Sequence, residues 1–248
     1  MNIPVFLETT IQADRNFSHR ANREKIRNSL EGKQLISSTY VVGELISNFL
    51  KNTTTFQNLL FESQTTSEAL SRFGERFYST RQFSRVMKIF ASVTEDGNMQ
   101  KEDVLDRLDI LIENTMIDRF QDDLVILIND TKCTRAIARP IKEDGLWHIK
   151  FECRKKPKPQ CFIREFINFH TTTFKLIESI TDKNLELCIE IIKKINSGKE
   201  LPYGTSCWKI GDAIICHESP KDALIYTTNK KDFIPICQKV GKELYVIE

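Results

Sequence analysis

The sequence predicts an α/β fold in which helices flank a parallel sheet. Three observations lead there. Short apolar runs of strand length stand near both ends of the chain, at residues 3–7, 35–36, 223–228 and 243–247. Between them, apolar residues recur at helical spacing over long stretches. Acids or serines close the early runs, where a strand hands over to a helix.

Taken in order, residues 3–7 (IPVFL) form a buried strand that ends on Glu8, with Thr9 and Thr10 behind it. Residues 14–32 are polar and basic and read as helix, with Ile26 and Leu30 pointing inward. A second strand at 35–36 runs into Ser37 or Ser38, either of which caps the next helix. Val42, Leu45, Ile46 and Phe49 are the buried face of that helix. Residues 51–94 continue as helix with Thr/Ser breaks, and Phe73, Phe77, Phe83, Val86 and Phe90 make an aromatic core stripe.

A turn at 95–98 precedes an amphipathic helix marked by Val104, Leu108, Leu111 and Ile112. Residues 123–128 fit either a buried strand or the end of that helix. Residues 133–161 break the pattern with Gly145, two prolines and a run of cations. Helices are expected at 162–180 and 185–195, the second closed by Gly198. After a loop at 202–204 come a short helix at 209–217, stopped by Pro220, and the two last strands. The organisation expected is a core of residues 1–50 and 205–248, with a mainly helical insertion at 51–204.

The chain has 248 residues, 40% of them hydrophobic and 28% charged, which suits a globular protein with a real core. No apolar run is long enough to span a bilayer, which argues against membrane roles. The first residues lack the basic start of a signal peptide, so the expected location is the cytoplasm. Seven cysteines without secretory context read as thiols or metal ligands rather than a disulfide framework. A formal net charge of +2 lacks the strong basic excess usual in proteins that coat duplex DNA.

Chemistry is expected from the isolated acids. A carboxylate within an apolar stretch is costly unless it is paired, hydrogen-bonded or bound to metal. Glu8 ends a strand, Glu44 sits in the otherwise apolar YVVGELI helix, and Asp212 opens the late helix after Gly211. Asn229 and Asp232 follow the strand at 223–228 in the segment TTNKKDF. Oxygen-rich sites of this kind suit Mg²⁺ or Mn²⁺, and a pair of such ions can activate water in phosphodiester hydrolysis.

In this order the residues resemble the PIN-domain superfamily of metal-dependent nucleases, over roughly residues 1–50 and 205–248. The resemblance implies a PIN-like parallel sheet and a metal-dependent endoribonuclease, acting on RNA in preference to DNA. By position, Glu8, Glu44 and Asp212 would ligate Mg²⁺ or Mn²⁺, with Asp232 or Asn229 orienting a water or a second ion. Thr227 and Phe233 complete the match to the family's final segment. The chain departs from the family in having Glu8 where an Asp is usual, and in the length of residues 51–206. A single-stranded RNA substrate and a homo-oligomer or protein partner are the associations implied.

Each acid also has a plainer reading. Glu8 can cap the following helix or pair with Arg15 or Arg20, Glu44 can pair with a cation of the insertion, and Asp212 can cap its helix. Two rival functions stay open: an inactive PIN-like binding or assembly module, and a zinc-stabilised nucleic-acid-binding protein. The zinc set would be Cys133, Cys153, Cys161 and His148, with His170 nearby. Cys188 and Cys216 read as core residues. Lys150, Arg154, Lys155, Lys156 and Lys158, followed by Arg164, are the densest local positive charge and would contact a phosphate backbone. Phe151 and Phe162 flank that run, as core or as stacking platforms.

Overall fold

A computed structural model of the chain describes residues 3–78, 80–154, 162–199 and 206–246. Strand β1 (Val5–Leu7) is wholly buried and passes at Glu8 into helix α1 (Thr9–Phe17), followed by α2 (Arg20–Ser29). Strand β2 (Leu35–Ser38) leads into α3 (Thr39–Leu45), whose N-cap is Ser38: its hydroxyl accepts from the Val41 N–H. A π-helical turn at Ile46–Leu50 joins α3 to α4 (Lys51–Glu62).

Helices α5 (Thr66–Phe77), α6 (Arg81–Val93), α7 (Lys101–Ile110) and α8 (Met116–Gln121) then lead to strand β3 (Leu124–Ile128). A hairpin follows, β4 (Pro140–Glu143) and β5 (Leu146–Ile149). Next are α9 (Phe162–Phe169), α10 (Thr171–Glu178), α11 (Glu186–Asn196), α12 (Ser206–Lys209) and α13 (Gly211–Glu218). Strand β6 (Leu224–Tyr226) and α14 (Lys230–Val240) complete the described elements.

The main sheet is parallel throughout, in the order β3-β2-β1-β6. Val5 stands opposite Leu35 on one side and Leu224 on the other. Alternation along the strands divides the core. Phe6, Ile36 and Ile225 face the large core made with most of the helices. Val5, Leu7, Leu35 and Tyr226 face a smaller one closed by Ile11, Ile26 and Leu30. Helix α1 is tied to the approach of β3, since Gln12 Nε2 donates to the Phe120 carbonyl at 2.8 Å and Arg15 Nη2 to that of Asp122 at 2.7 Å.

The α/β class, the strand ends, the Ser38 cap and the core stripe through Phe73, Val86 and Phe90 agree with the sequence reading. Several details differ. Residues 9–17 are helical because Glu8 caps them, a helix the apolar pattern did not reveal. Residues 123–128 do form a strand, but at the open edge of the sheet, with Val125, Ile126 and Leu127 exposed by 67%, 50% and 39%. The middle segment thereby contributes a strand to the sheet as well as helices.

The helix expected at 162–180 is two, α9 and α10, parted at His170. Residues 209–217 divide into the end of α12 and all but the last residue of α13. The last strand is reduced, among the described residues, to a bridge between Ile225 and Leu244. Residues 202–204 lie outside the described residues.

Parallel strands put all their carboxyl ends on one edge of the sheet. The chain runs from β1 to β2 and β3 on one side, then returns to β6 on the other, so the order reverses between β1 and β6. Such a switch point opens a crevice beyond the strand ends. Glu8 leaves β1 and Thr227 leaves β6 at this edge.

Candidate functional site

A cleft of about 650 Å³ lies at this switch point, and Glu8, Glu44, Asp212, Asn229 and Asp232 all line it. The four acids come from the strand end before α1, from α3, and from the first turns of α13 and α14. Residues separated by more than two hundred positions thus share one concavity.

Glu8 has two roles. As N-cap of α1 its Oε2 accepts from the Thr10 N–H at 3.0 Å and the Thr10 hydroxyl at 2.5 Å. The Thr227 hydroxyl adds a third bond at 3.1 Å. Arg15 and Arg20 are engaged elsewhere, with Asp123 and Glu24. Burial pushes the Glu8 carboxyl up to about 7, with its Thr10 and Thr227 bonds working against this and the charge of Glu44 adding to it.

Glu44 accepts from the Thr9 hydroxyl at 2.6 Å. Among the described residues it forms no ion pair, but Arg135 and Arg85 lie close enough to oppose the upward push that burial gives its pKa. Arg135 is itself buried, 5.2 Å above the Tyr40 ring, on the turn that packs against Gly43.

Asp212 stands in the first turn of α13, and the N-cap position belongs to Ile210 rather than to Asp212. The Asp212 carboxylate instead accepts from Asn229 Nδ2 at 3.0 Å, and the same nitrogen donates to Asp232 at 2.9 Å. One amide thus ties two carboxylates, and Asn229 is anchored through its backbone N–H to the Thr227 hydroxyl at 2.9 Å. Burial raises the Asp212 pKa well above the usual carboxylate range, and Glu8, Glu44 and Asp232 raise it further while Arg81 opposes them. Gly211 explains how α13 comes so near. A Cβ there would stand 2.5 Å from Glu44 Oε1 and 3.3 Å from the Tyr40 hydroxyl.

Several lining residues carried no functional signal in the sequence reading. Arg81 and Arg85 reach the cleft from α6, Trp208 and Lys209 from α12. Arg85 also covers the Phe49 ring at 5.4 Å. Their one sequence mark is the i, i+4 spacing of Arg81 and Arg85, which puts both on one helix face.

Taking a carboxylate out of water costs on the order of several kcal/mol per ion unless it is compensated. Here four face one cleft, and Asp232 Oδ1 is buried with no hydrogen-bond partner. An all-oxygen donor set with an orphaned carboxylate oxygen fits a hard divalent cation. Among the described residues no three His, Cys, Asp or Glu side chains form a group ready to grip a metal ion. The acids line the cleft without closing on one point.

The described residues of the other expected sites do not line this cleft. Cys133 accepts from Arg135 Nε at 3.4 Å, Cys153 packs half-buried on the core, and His148 is exposed on β5. Cys161 lies outside the described residues. Lys150 is paired with Glu143 at 2.9 Å, while Lys155, Lys156, Lys158 and the Arg154 side chain also lie outside the described residues. Phe151 is buried and Phe162 partly exposed, and Cys188 and Cys216 are core residues as expected. His217 packs on His170 with ring centres 4.2 Å apart, and burial lowers its pKa to about 4. Among the described residues no helix is long and apolar enough to cross a membrane.

Set against protein-family models, curated proteins and solved structures, the chain matches none of them.

Proposed function

We propose that the chain is a PIN-like, metal-dependent nuclease that hydrolyses phosphodiester bonds, with RNA preferred over DNA. The observation that carries this reading is the meeting of Glu8, Glu44, Asp212 and Asp232 in one cleft at the switch point of a parallel sheet. The resemblance in the sequence selects the same four residues.

Glu8, Glu44 and Asp212 hold Mg²⁺ or Mn²⁺, and Asn229 keeps Asp232 turned toward Asp212. When bound, the cation supplies charge stabilisation to a phosphate oxygen and lowers the pKa of water. Asp232 and Asn229 orient the attacking water. Arg81, Arg85 and Lys209 seat neighbouring phosphates, and Trp208 offers a ring on which a base can stack. Recognition of this kind reads backbone and stacking rather than sequence, which favours a single strand.

The test incubates labelled single-stranded RNA and DNA with the protein in Mg²⁺, Mn²⁺ or EDTA. Cleavage that needs metal and is lost in Asp212→Asn is the expected result; no cleavage of either strand in any metal overturns the reading. A second reading has its own observation. Three hydrogen bonds converge on Glu8 Oε2, as in a structural cap, which favours an inactive PIN-like module that binds without cutting. Binding of RNA that is unchanged by Asp212→Asn, with no cleavage, selects it.

A further inference from the structure

A second cavity, of about 950 Å³, opens at the opposite edge of the sheet, where β2 begins and the chain enters β3. Helices α1 and α2, the end of α6 and the turn at Asp122–Asp123 wall it. Arg15 lines it and is only 3% exposed. Its Nη2 donates to the Asp122 carbonyl, and its ion-pair partner, Asp123, stands 3.7 Å from Nη1 with 81% of its side chain in solvent. Arg15 Nε is buried and has no acceptor. A buried guanidinium left with an open N–H and a solvent-facing counter-ion is costly.

Arg27 sharpens the imbalance. Burial lowers the Arg15 pKa and the charge of Arg27 lowers it further, while Asp123 and Asp122 oppose them, so two guanidiniums share the cavity at repelling range. Arg27, Lys33 and Arg119 line the same space, and none has an ion pair among the described contacts. Glu95 is no counterweight, because Arg23 holds both its oxygens, at 2.6 and 3.0 Å. With Asp123 assigned to Arg15, Glu31 and Asp122 are left to face three cations. Like charges gathered around an unmet donor are the mark of an anion site, and the guanidinium fork matches phosphate oxygens.

We propose that this cavity binds the phosphate groups of a ligand of nucleotide size, with Arg15 and Arg27 as its principal contacts. Its volume lies at the upper end of the range usual for small-molecule pockets, of about 300–1,000 Å³. The site is independent of the nuclease reading, since it shares no lining residue with the acidic cleft.

The experiment titrates the full chain, in EDTA, with inorganic phosphate, pyrophosphate, adenosine triphosphate and a short single-stranded oligonucleotide, followed by calorimetry. Arg27→Ala and Arg119→Ala are the test variants, because both side chains are exposed and unpaired among the described contacts. Lys175→Ala, an exposed cation on α10 that lines neither cavity, is the control. Saturable binding that Arg27→Ala weakens about 10-fold or more is expected, from the worth of a charged hydrogen bond. Lys175→Ala should leave it unchanged, and the unfolding temperature without ligand should stay the same in all three variants. Arg27-dependent binding of the triphosphate alone identifies a free ligand, and the same dependence for the oligonucleotide identifies a strand phosphate. No saturation by any probe, or binding that Arg27→Ala and Arg119→Ala leave intact, overturns the proposal.

Discussion

At the C-terminal edge of the sheet four carboxylates line one cleft, whereas at the N-terminal edge four arginines and Lys33 outnumber the acids that line another. Both depend on groups buried against their electrostatic preference. The acids meet this by taking up protons, which is why Glu8 stands near 7 and Asp212 well above its usual range. Arginine has no such exit, because it stays charged, so the other edge keeps its charge and leaves Arg15 Nε without an acceptor. If the two proposals hold, the first edge releases protons when it takes up a cation, and an anion relieves the second.

The strongest way to break this comparison is Asp212→Asn. It should lower metal-dependent cleavage by about 1000-fold or more, the equivalent of losing several kcal/mol of charge stabilisation. The same change should raise the unfolding temperature of the metal-free protein, because it removes a carboxylate that Glu8, Glu44 and Asp232 repel. A drop in both quantities would mean that Asp212 is simply structural.

Proton uptake gives the next effect. Glu8 and Glu218 are each raised from 4.5 to about 7, mainly by burial. A carboxyl raised in the folded state favours folding fully below the unfolded pKa and loses that contribution as pH rises through the folded pKa. Stability in EDTA should therefore fall between pH 4.5 and 8, by up to about 3 kcal/mol per group at 1.36 kcal/mol per pKa unit. Urea midpoints across that range measure it. Mn²⁺ should restore the share of Glu8, and Glu218→Gln should delete the other share; a midpoint that rises steadily with pH would refute both.

Gly211→Ala is a gentler probe. The new methyl displaces Glu44 Oε1, a flexible side-chain end, so the fold should survive while cleavage falls about 10-fold, as for a disturbed neighbour of a metal ligand. Thr9→Val should have the smallest effect, about 1 kcal/mol of Glu44 positioning, read as a weaker Mn²⁺ affinity with little change in unfolding.

How much of this was legible in the sequence depended on the range of the signal. Glu8, Ser38 and Glu44 could be placed because their neighbours set the local structure: an apolar strand, a hydroxyl cap, a helix of buried residues. Asp232 was placed by the strand it follows, and Asn229 by the resemblance to the PIN family's final segment. The open position of β3 was not legible, because LVILI reads alike in a central strand and at an edge. The hairpin β4–β5 left a signal that passed for a simple break: Asp144 and Gly145, both with positive φ (51° and 80°), are the pair a two-residue turn requires. Arg81, Arg85 and Trp208 were invisible as site residues, since an arginine facing a cleft and one facing water have the same local sequence. Gly211 lay in view, but its reason is the Glu44 carboxylate beside it, a contact between distant segments.

The bare flank of β3 bears on how the protein behaves in concentrated solution. Val125, Ile126 and Leu127 present a sticky ribbon of unpaired backbone, the kind of rim along which molecules zip together into insoluble matter. Asp122 and Asp123 before it and Asp130 after it act as gatekeepers, since like charges at the ends of the ribbon repel an approaching copy. Asp130→Asn, which leaves the Arg15 pair with Asp123 intact, should lower the protein concentration at which light scattering begins.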